Sequence, residues 1–249
     1  MIRLPGRRHL MVPAAAVAAV ILGGGLALAL PAHTPAPPGP AATATAGPAD
    51  TASARSPSQS QVPRVSLASV RWSDFYGVEL PVSAQAGPRE LSGGTAAGFA
   101  RTPLGALLAA VNIAVRANAQ WGPRIFTPVI RGQVTGPDAA ALLASCQAAY
   151  DQAAQAAGVT GGQPLGTVQV TEQAFRWVTW TPAAAIIELA VAGPGPQGTT
   201  VRASTQIQAV WAGGDWKVIA PPGGNWGNSA TMLSSLRGYT LFPGQGGGR

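Results

Sequence analysis

Histidine and cysteine are scarce in this chain of 249 residues, which has two histidines and one cysteine. His9 and His33 both precede residue 64, where the aromatic residues begin. A folded domain beyond that point has no imidazole for a nucleophilic triad, a zinc ligand or general base catalysis. The single cysteine, Cys146, excludes an intrachain disulfide and any site built from several cysteines. We expect Cys146 to be a small buried apolar side chain, because no basic cluster lies near it to activate the thiol.

Charge is also scarce, since only 10% of the residues are charged and the net charge is +7. Residues 64–249 contain twelve basic and eight acidic residues, a difference of +4. These charges are scattered and form no run of lysine or arginine. The sequence therefore does not favour a nucleic-acid partner.

The amino-terminal region has the pattern of a membrane anchor. Three arginines in residues 1–9 precede an uncharged apolar run, residues 10–30, which is long enough to cross a hydrocarbon core of roughly 30 Å. We predict a single-pass, uncleaved signal-anchor, with residues 1–9 in the cytoplasm and the rest of the chain extracytoplasmic. Cleavage as a signal peptide is the alternative, with Ala27 and Ala29 forming a small-x-small site.

Residues 31–63 predict a disordered linker rich in proline, alanine and threonine, with eight prolines and no aromatic residue. All seven tryptophans, three tyrosines and five phenylalanines lie beyond it. We therefore assign residues 64–243 to one extracytoplasmic domain and residues 244–249 to a flexible tail.

Two stretches of this domain have the apolar spacing of amphipathic helices. The first covers residues 103–119, with Thr102 as its N-cap and Pro103 in its first turn. The second begins at Pro137 and Asp138 and ends at Gly158.

Less regular stretches surround these helices. Residues 70–83 predict a small hairpin or edge segment ended by Pro81, and residues 86–98 predict a loop. Two prolines in residues 120–135 limit that stretch to short extended or 3₁₀ pieces. Residues 229–237 predict a short closing helix.

The second half of the domain changes to the two-residue period of strands. We predict strands over residues 167–181, with a bulge near Val178, and over residues 183–192, 199–211 and 215–220. Gly213 and Gly214 join the last two as a hairpin. Helices followed by antiparallel strands predict an α+β fold.

Carboxylates are the main acid–base groups left in the domain. We assign Asp138 to the helix start and Asp215 to the hairpin turn. Glu172 and Glu188 lie on adjacent predicted strands, where a pair could flank a glycosidic bond, although solvated positions on the sheet explain them more simply. The remaining acidic residues are Asp74, Glu79, Glu90 and Asp151.

Three tryptophans, Trp177, Trp180 and Trp211, invite a role in stacking on a ligand, but we expect them in the core. The sequence therefore predicts no catalytic residue, no cofactor-binding residue and no metal ligand.

The pattern Gly98-Phe99-x-x-Thr102-Pro103-x-Gly105-Ala106, together with the late hairpin VWAGGDWKV, resembles membrane-anchored proteins of actinobacterial integrative conjugative elements. The anchor, linker and domain layout is similar to the inner-membrane assembly-factor subunit of type IV secretion channels. That resemblance implies a nuclear-transport-factor-2-like cone, in which helices pack into the concave face of a curved antiparallel sheet.

From the resemblance we expect a non-enzymatic component of a cell-envelope assembly of the conjugative-transfer or type IV secretion kind. We expect its partners to be other proteins or further copies of the chain, and we expect no cofactor or small ligand. The alternative is a cone-fold small-ligand binder or a lyase or isomerase like the ketosteroid isomerases, which use a carboxylate in an apolar pocket.

Overall fold

The computed structural model describes residues 62–166 and 170–244. The predicted anchor, almost all of the predicted linker and residues 245–249 lie outside them. Within the described residues, no helix has both the length and the apolar character needed to cross a bilayer.

The described chain is a mixed α+β structure with three α-helices and a large, mostly antiparallel sheet. The helices are α1 (Pro103–Arg116), α2 (Pro123–Gln133) and α3 (Ala139–Ala157). The strands before α3 are β1 (Arg71–Phe75), β2 (Val78–Val82), β3 (Glu90–Ser92), β4 (Thr95–Ala97) and β5 (Val134–Thr135). Those after it are β6 (Thr171–Trp180), β7 (Ala184–Pro194), β8 (Thr200–Ala212), β9 (Asp215–Ile219), β10 (Ala230–Met232) and β11 (Thr240–Leu241).

Within the described ranges, seven strands form the main sheet in the order β11-β6-β7-β8-β9-β5, and β10 pairs with β8. All neighbours are antiparallel except β5 and β9, which are parallel. The strands β1–β2 and β3–β4 form two separate hairpins. The four predicted strands correspond to β6–β9, and the glycine hairpin between β8 and β9 is confirmed. The predicted bulge is also confirmed, since the register of β6 shifts between Trp177 and Thr179.

Helix α1 packs against one face of the main sheet, which we call the inner face and which carries Ile187, Ile207 and Val218. The predicted N-cap is confirmed, because the Thr102 hydroxyl accepts the Gly105 N–H at 3.1 Å. A Cβ on Gly105 would lie 2.0 Å from the Ala100 carbonyl oxygen, so only glycine permits this approach.

The predicted limits of α3 also agree with the structure. Asp138 is the N-cap residue, and Gly158 ends the helix in the left-handed conformation, with φ of 68°. Left-handed residues commonly end helices because they allow the last carbonyls to be bonded, and glycine adopts this conformation without steric cost.

The prediction of short pieces over residues 120–135 holds only at its ends, a 3₁₀ turn at Ala119–Trp121 and β5, and is wrong between them, because α2 continues through Pro128. The buried residues of α2 recur with helical spacing and pack into the core; they are Ile125, Phe126, Val129, Ile130 and Gln133. Burial of this apolar face offsets the one hydrogen bond that proline cannot donate.

Two predictions for the early segments need adjustment. Residues 70–83 form the β1–β2 hairpin, but Pro81 does not end it, since Pro81 pairs with Trp72 and the strand continues to Val82. The stretch 86–98 is not a simple loop, because it contains the β3–β4 hairpin.

The closing helix predicted over residues 229–237 is wrong as well. β10 pairs with β8 and β11 pairs with β6, so the chain between them, residues 233–239, crosses the outer face of the sheet over β7. Three small residues in register on neighbouring strands are buried on that face: Ala174, Ala190 and Ser204. The conformation of residues 233–239 is therefore determined by packing on the sheet and not by their helical propensity.

Asp215 joins the β8–β9 hairpin to the segment that leads into α1. Its carboxylate accepts the backbone N–H of Gly98 at 2.7 Å, of Phe99 at 3.0 Å and of Trp216 at 2.8 Å. The Trp216 indole N–H returns a bond to the Ala100 carbonyl at 2.9 Å. Our assignment of Asp215 to local turn chemistry is therefore incomplete, since the side chain makes two contacts across more than 100 residues.

We expect Asp215→Ala to lower the free energy of unfolding by about 3 kcal/mol, because it leaves three partly buried N–H groups without their charged acceptor. Denaturant titration of the full chain measures the change. Asp151→Ala is the control, because exposed Asp151 accepts one bond from Gln147 within α3. Equal losses in the two variants would contradict the structural role of Asp215.

Candidate functional site

Two bulges in β6 place four large side chains on the inner face of the sheet. The register pairs Glu172 with Val191, Phe175 with Leu189, Trp177 with Ile187 and Trp180 with Ala185. These β7 residues alternate along the strand, and directly paired residues share a face. Without the shifts between Glu172 and Ala174 and between Trp177 and Thr179, the strand would not keep all four on one side.

Glu172 is the unusual member of this row. Its side chain is 3% exposed, and its Oε2 atom has no hydrogen-bond partner among the described residues. Burial raises the pKa of the carboxyl to about 8. The interpretation of Glu172 as a solvated surface residue is therefore wrong, and near neutral pH the side chain is mostly a protonated acid.

Glu188 lies on the opposite face of the sheet. Its Oε2 accepts hydrogen bonds from Arg176 and from the Tyr239 hydroxyl, each at 2.6 Å. The guanidinium of Arg176 also lies 4.8 Å from the centre of the Tyr239 ring. Glu172 and Glu188 thus point away from each other, and the idea that they flank one glycosidic bond is wrong.

Two further polar atoms on the inner face have no partner among the described residues. They are the indole N–H of Trp177 and the hydroxyl of Thr205. Thr205 lies on the inner face because it pairs with Leu189 of the neighbouring strand. Both residues are buried. The inner face therefore offers an acid, a hydroxyl and an indole N–H within a largely apolar layer, which suits hydrogen bonding or proton donation.

The three tryptophans considered for ligand stacking lie in or against the core. Trp177 is buried, whereas Trp180 and Trp211 are half-buried. Both half-buried rings contact Trp216, at centroid distances of 5.7 and 5.6 Å. This packing accounts for them without a ligand.

Cys146 is buried, as predicted, and burial raises the pKa of its thiol to about 12. The thiolate form is therefore scarce at neutral pH. In the described part of the chain, no three side chains among histidine, cysteine, aspartate and glutamate come together as a possible metal site.

The chain belongs to the family described as a domain of unknown function, DUF8175, whose model matches residues 33–241. No curated protein and no solved structure matches it.

The raised pKa of Glu172 makes a prediction about pH and stability. Its ordinary value is 4.5, so between pH 4.5 and about 8 the unfolded chain releases a proton that the folded chain retains. The contribution of Glu172 to the free energy of unfolding is therefore fully present below pH 4.5. It is lost as the pH rises towards 8, and the loss is roughly 5 kcal/mol at most. Glu172→Gln should remove this loss, so that the variant exceeds the wild type in free energy of unfolding at pH 8.5.

Denaturant titrations between pH 4.5 and 8.5 test this prediction. Glu188→Gln is the matched control, because Glu188 lies on the other face and is bonded to Arg176 and Tyr239. A pH profile of Glu172→Gln parallel to that of the wild type would contradict the assignment.

Proposed function

We propose that this protein is a membrane-anchored, non-enzymatic component of a cell-envelope assembly, of the conjugative-transfer or type IV secretion kind. Residues 10–30 hold it in the cell membrane, and the domain after the linker is extracytoplasmic. The domain acts through contacts with protein partners or with further copies of itself.

The observation that supports contact with a partner concerns the two small hairpins outside the main sheet. Tyr76, at the turn of β1–β2, is 51% exposed, and Leu91, in β3, is 56% exposed. Arg116 links the two hairpins, because it bonds the Gly94 carbonyl of one and stacks on Phe75 of the other. Large apolar side chains exposed on neighbouring elements are typical of interaction surfaces.

The layering of the domain supports the proposal of a nuclear-transport-factor-2-like cone. Helix α1 covers the inner face of an antiparallel sheet, α2 packs against α1 and β9, and α3 packs against α2. The inner face is filled by the chain's own aromatic and aliphatic side chains. This packing favours a domain that acts through contacts of its exposed surface.

Photo-crosslinking in cells tests this function. We expect a crosslinking residue at position 76 or 91 to capture subunits of the transfer channel encoded by the same genetic element, because these positions are exposed on the hairpins. Position 131, exposed on α2, is the control and should capture none of them. Loss of element transfer on deletion of the gene, restored by the wild-type chain, is the accompanying measurement.

A cytoplasmic, protease-protected domain in intact spheroplasts would contradict the placement. If positions 76 and 91 crosslink only to further copies of this protein, the surface serves self-association and not contact with a channel subunit. Transfer at the normal rate without the gene would contradict the role in conjugation.

The second candidate function is acid–base chemistry or ligand binding at the inner face, which Glu172 favours. A buried carboxyl held protonated at neutral pH is what a general acid or a hydrogen-bond donor to a carbonyl requires. Turnover or binding of a small carbonyl compound by the wild type, lost in Glu172→Gln and kept in Glu188→Gln, would favour this function over the first.

A further inference from the structure

Arg116, the last residue of α1, is a buried cation that has no anionic partner among the residues that the structure describes. Its side chain is 6% exposed, and no carboxylate of the described residues forms an ion pair with it. Burial lowers its pKa from 12.5 to about 10, so the guanidinium remains charged at neutral pH. Buried charges are costly unless they are paired, and arginine is rarely buried otherwise.

The contacts of Arg116 use only part of the guanidinium. Nη1 donates to the Gly94 carbonyl at 3.1 Å, and the plane lies over the Phe75 ring, with Cζ 4.0 Å from its centre. Nε has no partner, and no hydrogen bond of Nη2 occurs within residues 62–166 and 170–244. The edge formed by Nε and Nη2 carries two parallel N–H donors, which match the two oxygens of a carboxylate.

Tyr76, which follows Phe75 in the chain and contacts its ring, has an unusual conformation. Its φ is 53°, in the left-handed region where a bulky residue is rare. The ring stacks on Trp121 at 5.9 Å with an interplanar angle of 27°, and the phenol is close enough to Arg116 to raise its pKa. Strained residues of this kind are concentrated at ligand-binding positions, and glycine at 76 would remove the strain.

We propose that the Nε–Nη2 edge of Arg116, whose guanidinium lies over the Phe75 ring and near Tyr76, is a binding site for a carboxylate group. Two flat rings beside a planar guanidinium favour a planar anion over a tetrahedral one. The site does not depend on the membrane anchor or on a role in conjugation.

The direct test follows the Arg116 Nε–H resonance of the ¹⁵N-labelled full-length protein. Acetate is the probe, chloride at equal ionic strength is the reference, and inorganic phosphate is the tetrahedral comparison. We expect a saturable shift with acetate and a smaller response to phosphate. No saturable shift with acetate, or tighter binding of phosphate, would overturn the proposal.

Variants give the second measurement. Arg116→Lys keeps the charge but loses the paired donors, so acetate should bind at least about tenfold more weakly. Arg131→Gln, on the exposed side of α2, should bind acetate as the wild type does. An N-acetylated peptide ending in glutamate amide distinguishes an acidic side chain of a partner from a free small carboxylate. If Arg116→Lys fails to fold, the titration of the wild type alone decides.

Discussion

The carboxylate of Asp215 fixes the relation between the helical half of the domain and the sheet. It accepts N–H groups from Gly98 and Phe99, in the segment just before α1, and it also closes the turn into β9. Gly98 has φ of 77°, which a residue with a side chain rarely adopts, and this conformation aims two successive N–H groups at one carboxylate. Because α1 starts only a few residues later, its position against the inner face follows from this contact.

Elements whose ends are set by local hydrogen bonds and backbone preferences are predictable from the sequence. Elements whose structure is decided by tertiary contacts are not. Thr102 and Gly158 mark helix ends through their own hydrogen bonds and backbone preferences, so α1 and α3 were found. In α2, Pro128 argues locally against a helix, but burial of the apolar face outweighs its missing bond. The chain over residues 233–239 is placed by strand pairing at both of its ends, and no local pattern specifies that course.

The candidate site shows the same limit. The bulge near Val178 is predictable because the alternation of apolar and polar residues changes its order there. The register shift beside Gln173 leaves no such mark in the sequence. That second shift decides which side of the sheet Glu172 faces. Arg116 was not recognised as a site residue at all. Arg116 follows Val115 directly, so it lies about 100° around the helix from the predicted apolar face, where an arginine is expected to be an exposed residue of the last turn.

Glu172 and Arg116 are both buried and both lack an ionic partner in the described part of the chain, yet the physical consequences differ. A buried carboxyl avoids its desolvation cost by keeping a proton, and a pKa of about 8 shows that Glu172 does so at neutral pH. Arginine has no such escape, because even a pKa of about 10 leaves the guanidinium charged. Stacking on Phe75 and one bond to Gly94 offset only part of that cost. An anion supplied from outside would offset the rest, which is why the unpaired arginine, more than the unpaired acid, argues for a ligand.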